Sequence, residues 1–114
     1  MNFLRSTEHA SILRAYLKAC YPGKKISVRK GSHYYSIYVT VPNSIVEEVR
    51  QLMQAWRTTW TGVLDDRHNN DMYMTQDAQG RKCIVNQMDV IDFDNAERVN
   101  CVIDYIIVQG DSLW

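Results

Sequence analysis

One alternating run, Tyr34 to Val41, constrains the fold of this chain more than any other feature. Tyr35, Ile37, Val39 and Val41 fall on one side and Tyr34, Ser36, Tyr38 and Thr40 on the other, and nearly all are strand formers. A shorter alternation comes before it, with Ile26 and Val28 on one face and Lys25, Ser27 and Arg29 on the other. Gly31-Ser32 stands between them and supplies a turn. The two runs predict an antiparallel hairpin. If the aliphatic faces of both strands cover a helix, the opposite face gathers Lys25, Arg29, Tyr34 and Tyr38.

The helix is found upstream. It is expected to start near Ser6 or Thr7, either of which can cap its free amides, and Leu13, Tyr16, Leu17 and Cys20 form its inner stripe. Tyr21-Pro22-Gly23 stops it. After the hairpin, Pro42-Asn43 closes the strand, and Ser44 and Glu47 have capping-box spacing for a second helix. The inner stripe of that helix is Ile45, Val49, Leu52, Met53 and Trp56, and it is expected to fray near Arg57. Gly62 to Asp71 is polar and turn-rich, and reads as a long loop.

Strands resume at Met72-Thr75 and Lys82-Val85, a hairpin around Asp77-Ala78-Gln79-Gly80 whose glycine takes the left-handed position. Met88 to Phe93 alternates weakly, Asp94 to Glu97 reads as a turn or a short helical connection, and Asn100 to Val108 is a strong last strand. That last run is apolar on both faces, which predicts a central strand with Asp104 as its odd residue. The expected fold class is α+β: two helices packed on one face of a mostly antiparallel sheet, in the order α-β-β-α-β-β-β, with a possible eighth element as strand.

A length of 114 residues, with 46% apolar and 23% charged content, fits a single α+β domain over residues 1–114. The start lacks the apolar core of a secretion signal, and no run approaches a membrane-spanning length. A cytoplasmic protein is expected. Cys20, Cys83 and Cys101 are odd in number and widely spaced, as reduced core thiols are.

The search for chemistry returns no cofactor, no metal and no catalytic residue, so the chain is not expected to be an enzyme. His9, His33 and His68 lie on different elements, away from any second ligand at metal-site spacing. His68 stands near Asp65, Asp66 and Asp71, but a solvated acidic loop accounts for that grouping better than a cation site does. The cysteines sit in apolar patterns that argue for inert thiols. Gly31, Gly62 and Gly80 stand singly, so there is no phosphate loop.

What remains is charge. Residues 1–57 carry nine Lys/Arg against three acids, and the rest carry four against ten, so a formal net charge of zero conceals halves of +6 and −6. Two binding readings follow. Asp65, Asp66, Asp71, Asp89, Asp92 and Asp94 could meet a basic protein surface by charge complementarity, with Trp60, Tyr73 and Trp114 as anchors. Alternatively Lys24, Lys25, Arg29 and Lys30, with Tyr34 and Tyr38, could contact nucleic acid through phosphate neutralisation and base stacking. Neither partner is a membrane.

A family resemblance covers residues 9–41. The stretch from His9 to Lys30, with its helix ending in Tyr21-Pro22-Gly23 and its strand Lys25-Ile26-Ser27-Val28-Arg29, resembles the opening of the large polyvalent protein-associated domain, type twenty-nine. Val41-Pro42-Asn43 departs from the Gly-Pro turn of that group, and the hairpin has one glycine rather than several. Such domains occur in proteins of phages and conjugative elements that help the element survive entry into a bacterial host, and no catalytic residues are established for them. The resemblance implies a small counter-defence inhibitor, of anti-CRISPR or anti-restriction type, that binds a host defence complex.

Overall fold

The computed structural model describes residues 2–31, 36–56, 72–101 and 105–111. Its elements run β1 (Asn2–Leu4), α1 (Ser6–Cys20), β2 (Ser27–Lys30), β3 (Ser36–Val41), α2 (Val46–Met53), β4 (Met72–Gln76), β5 (Lys82–Asn86), β6 (Glu97–Cys101) and β7 (Tyr105–Gly110). Short 3₁₀ turns occupy Asn43–Ile45, Gln54–Trp56, Gln87–Asp89 and Phe93–Asn95. The class is α+β, as the periodicities imply.

The strands divide between two sheets, β2-β3-β7 and β1-β6-β4-β5. Among the described residues three of the five pairings are antiparallel, while β1 with β6 and β3 with β7 are parallel. Helix α1 packs against β2 and β5, bridging the two sheets, and α2 packs against β7. Val28, Ile37, Val39, Val41, Ile106 and Val108 line the covered face of the three-stranded sheet. They meet Leu13, Leu17, Val49, Met53 and Trp56 from the helical side in one buried cluster. Burying side chains of this size contributes about 1.5–3 kcal/mol each, which makes this cluster the main source of stability.

Several local expectations are corrected. Neither Ser6 nor Thr7 caps α1, which is preceded by an extended Arg5 without a side-chain cap. The Ser44–Glu47 capping box does not form either: a 3₁₀ turn stabilised by the Ile45 amide donating to Pro42 O (3.0 Å) comes first, and α2 begins at Val46. Glu47 pairs with Arg50 instead (2.5 Å).

The run from Met88 to Phe93 is not a strand. Asn86 Oδ1 accepts from the Met88 amide (2.9 Å) and Asp92 Oδ1 from the Asp94 amide (3.1 Å), and such Asx bonds turn the backbone away from a ladder.

The expected single strand from Asn100 to Val108 is two strands in different sheets, with Asp104 outside the described residues. The buried parity changes along it: Val99 is buried in β6, whereas Ile106 and Val108 are buried and Ile107 is exposed in β7. β6 is central, between β1 and β4, but β7 pairs only with β3 among the described residues and stands at an edge.

Both edges of the three-stranded sheet are met by an arginine from a helix. Arg14 Nη2 of α1 donates to Val28 O in β2 (2.5 Å), and Arg50 Nε and Nη2 of α2 both donate to Val108 O in β7 (3.3 Å each). Capped carbonyls leave less of each edge open for another chain to pair with.

Candidate binding surfaces

The outer face of the β2-β3-β7 sheet follows from register. Ser27 pairs with Thr40, and Thr40 with Gln109; one row on, Arg29 pairs with Tyr38, and Tyr38 with Ile107. Above these rows lies a concavity of about 540 Å³, lined among the described residues by Lys25, Ser27, Arg29, Thr40 and Asp111. Gln109 Nε2 donates to Thr40 Oγ1 (3.1 Å), and Asp111 Oδ1 accepts from the Asn43 amide (3.3 Å). Beyond Arg29 the Tyr38 ring turns back over Gly31, where a Cβ would lie 2.7 Å from Tyr38 Cε2 and overlap the Ser36 hydroxyl.

Of the expected basic patch, Lys25 and Arg29 share this concavity and Tyr38 flanks it. Lys30 pairs with Ile37, one residue out of phase with Arg29, and so belongs to the other face. Lys24 sits in the turn after α1, with its amide donating to Tyr21 O (3.2 Å). Tyr34 lies outside the described residues.

Of the acidic set, Asp89, Asp92 and Asp94 lie exposed on the segment joining β5 to β6. Asp65, Asp66 and Asp71 lie outside the described residues, as do Trp60 and Trp114. Asp92 is partly engaged, since Oδ2 also accepts from Asn95 Nδ2 (2.6 Å). Met88, Ile91 and Phe93 are exposed on the same segment, and the Phe93 ring meets Tyr73 edge-on at 5.6 Å between centroids. The weak alternation of residues 88–93 does not reveal this feature. The available signal was Asn86 and Asp92, each two residues before an amide it could accept.

A second concavity, of about 320 Å³, lies between the helical side and the β4-β5 hairpin and includes Tyr16, Trp56, Thr75, Asp77, Arg81 and Cys83 in its lining. Gly80 holds φ 78° in the hairpin turn, as expected. Arg81 Nε bonds Asp77 Oδ2 (2.6 Å), and its guanidinium carbon lies 5.3 Å from the Tyr16 ring centroid. Burial pushes the Asp77 carboxyl up, but bonds from the Arg81 amide, its guanidinium and the Gln79 amide outweigh it and hold the group below its ordinary value.

The groups nearby are the reverse of activated. Burial pushes the Tyr16 hydroxyl and the Cys20 thiol above their usual ranges, and pushes Cys83 up to about 11. Thiols so placed stay protonated at neutral pH and are poor nucleophiles. Among the described residues no three His, Cys, Asp or Glu side chains are grouped to hold a metal ion. No helix among them is long and apolar enough to cross a membrane.

His9 is marked by the sequence only as lacking a second ligand at metal-site spacing. It is buried on α1 beside Trp56, with ring centroids 6.1 Å apart, and neither imidazole nitrogen has a hydrogen-bond partner. Desolvation lowers its pKa from 6.5 to about 4.

No family model, curated protein or solved structure matches the chain.

Proposed function

We propose that the chain is a non-enzymatic binding protein that docks a basic surface of a bacterial protein through residues 88–94. One observation carries this reading: Met88, Ile91 and Phe93 are 68%, 66% and 55% exposed, with Asp89, Asp92 and Asp94 interleaved among them. Desolvating large apolar side chains supplies affinity, while flanking carboxylates orient and accelerate approach to a cationic partner. The Asn86 and Asp92 turns already fix the segment's backbone, so docking orders little new chain.

Joined to the resemblance of residues 9–41 to a domain of phages and conjugative elements, the finer reading is a counter-defence inhibitor. It acts in the host cytoplasm on a CRISPR or restriction complex, whose nucleic-acid-handling surface is basic. The test is phage survival in bacteria that carry one such system and express the chain. Protection should appear with the wild type and be lost with Met88→Ala, Ile91→Ala and Phe93→Ala combined, while circular dichroism shows the variant still folded. Protection that survives this triple change refutes the docking segment, and no protection against any CRISPR or restriction system refutes the finer reading.

The common face of Lys25, Arg29 and Tyr38 favours a second reading, an accessory protein that binds nucleic acid. Fluorescence anisotropy with a labelled oligonucleotide would then show affinity that falls steeply with salt and disappears in Lys25→Glu with Arg29→Glu.

A further inference from the structure

We infer that the concavity on the outer face of the β2-β3-β7 sheet is a small-molecule site for a phosphomonoester of nucleotide size. Its volume of about 540 Å³ lies within the roughly 300–1,000 Å³ typical of such sites.

The donors are arranged by strand period. Lys25 and Arg29 stand on the same face of one chain segment, about 13 Å apart along it, with Ser27 midway. Both side chains line the concavity together with Ser27. Thr40 is the register partner of Ser27, so two hydroxyls form the floor between the two cations. The bond from Gln109 Nε2 into Thr40 Oγ1 occupies that oxygen as an acceptor and leaves the hydroxyl proton for a ligand. An ammonium, a guanidinium and two hydroxyls make a donor set suited to a phosphate dianion.

Asp111 decides between a small ligand and a strand. Gly110 pairs with Val41, so Asp111 stands beside Pro42 at the Lys25 end of the concavity. Its Oδ1 takes the Asn43 amide at 3.3 Å, and Oδ2 is left to accept from a ligand. A carboxylate there repels a phosphodiester backbone continuing across that end. It accepts readily from a ribose hydroxyl or an exocyclic amine. The combination fits one terminal phosphate joined to a hydrogen-bond-donating body, which is the layout of a nucleoside monophosphate.

Isothermal titration of the full chain with each of the four ribonucleoside monophosphates, with adenosine, with inorganic phosphate and with a single strand of about ten nucleotides tests this. At least one monophosphate should saturate the site below about millimolar concentration, with adenosine and inorganic phosphate each about tenfold weaker or worse. Lys25→Gln and Arg29→Gln, at exposed positions, should each weaken it about tenfold without lowering the melting temperature. Asp111→Asn should weaken the nucleotide and spare inorganic phosphate.

Failure of all four monophosphates to saturate overturns the inference, as does binding that is indifferent to Lys25→Gln and Arg29→Gln. Inorganic phosphate binding as tightly as the nucleotide overturns the nucleotide-sized ligand. Tighter, salt-steep binding of the single strand overturns the small-molecule site in favour of nucleic acid. The Met88, Ile91 and Phe93 triple variant should titrate like the wild type, which keeps this result separate from the fate of the docking segment.

Discussion

Between neutral pH and about pH 4, acid should weaken this protein chiefly through His9. His9 is buried between α1 and the Trp56 ring with both nitrogens unpartnered, and the ionisable side chains that surround Tyr16 one face along, Asp77 and Arg81, are engaged with each other. Among the described residues no hydrogen-bond partner or ion pair stabilises an imidazolium at this position. Its pKa of about 4 in the fold against 6.5 in a solvated chain fixes both the sign and the size of the effect. Below pH 6.5 the unfolded chain takes up a proton that the folded one refuses, so stability is fully present above that pH and declines as pH falls toward 4. At about 1.4 kcal/mol per pH unit the loss reaches roughly 3 kcal/mol, a large share of the stability of a chain this size. The assay is urea denaturation followed by circular dichroism at several values between about pH 7.5 and about pH 4.5. His9→Leu, which keeps the volume roughly constant and removes the buried nitrogens, should show that decline flattened and should be no less stable at neutral pH. His33 and His68 are common to both proteins, so the difference between the curves isolates His9. Parallel curves for wild type and His9→Leu would refute the reasoning.

Three other outcomes are expected. Arg14→Ala and Arg50→Ala each remove the donor to an edge-strand carbonyl, and each should lower the unfolding free energy by about 1 kcal/mol; the double variant should also self-associate on size-exclusion chromatography. Gly31→Ala places a Cβ against the Ser36 hydroxyl and the Tyr38 ring, and should cost about 1–3 kcal/mol in a urea titration. Asp77→Ala removes the acceptor for the Gln79 amide, the Arg81 amide and the Arg81 guanidinium, and should lower stability by about 2 kcal/mol at neutral pH. Its contribution in the wild type fades as pH drops through the lowered carboxyl pKa, because protonation of Asp77 weakens all three bonds.

The parts of the fold that sequence made legible are those where period and burial agree. Leu13, Tyr16 and Leu17 recur at helical spacing and are buried on α1, and Ile37, Val39 and Val41 alternate and are buried on β3. The Asp77–Gly80 hairpin also stands where its turn chemistry placed it. Pairing between distant segments was less visible, since nothing local in Asn2–Leu4 or Tyr105–Gly110 says that each lies parallel to its neighbour. Capping is less legible. Ser44 and Glu47 have the right spacing, but the turn beginning at Pro42 offers the backbone a closer alternative. The basic patch was legible for Lys25 and Arg29 because one strand's parity decides it, and not for Lys30, where the same parity places it on the other face.

The charge halves noted in the sequence acquire a spatial meaning from these contacts. Among the described residues, the ion pairs Arg5–Glu8, Arg50–Glu47 and Arg81–Asp77 each join residues three or four apart, so each of these three is spent within its own half. Lys25 and Arg29 meanwhile share the outer sheet face, and Asp89, Asp92 and Asp94 share the segment between β5 and β6. A helical arginine bonds an edge-strand carbonyl on each side of that sheet, which disfavours recognition by strand addition. On the proposed readings, recognition at both surfaces would fall to side chains: a polar concavity with two cations, and an apolar segment studded with acids. The two ask for opposite chemistry. A single polyanionic partner is attracted by the first and repelled by the second, so a steep rise of affinity with salt at one surface and a steep fall at the other is the behaviour that two independent sites would show toward it.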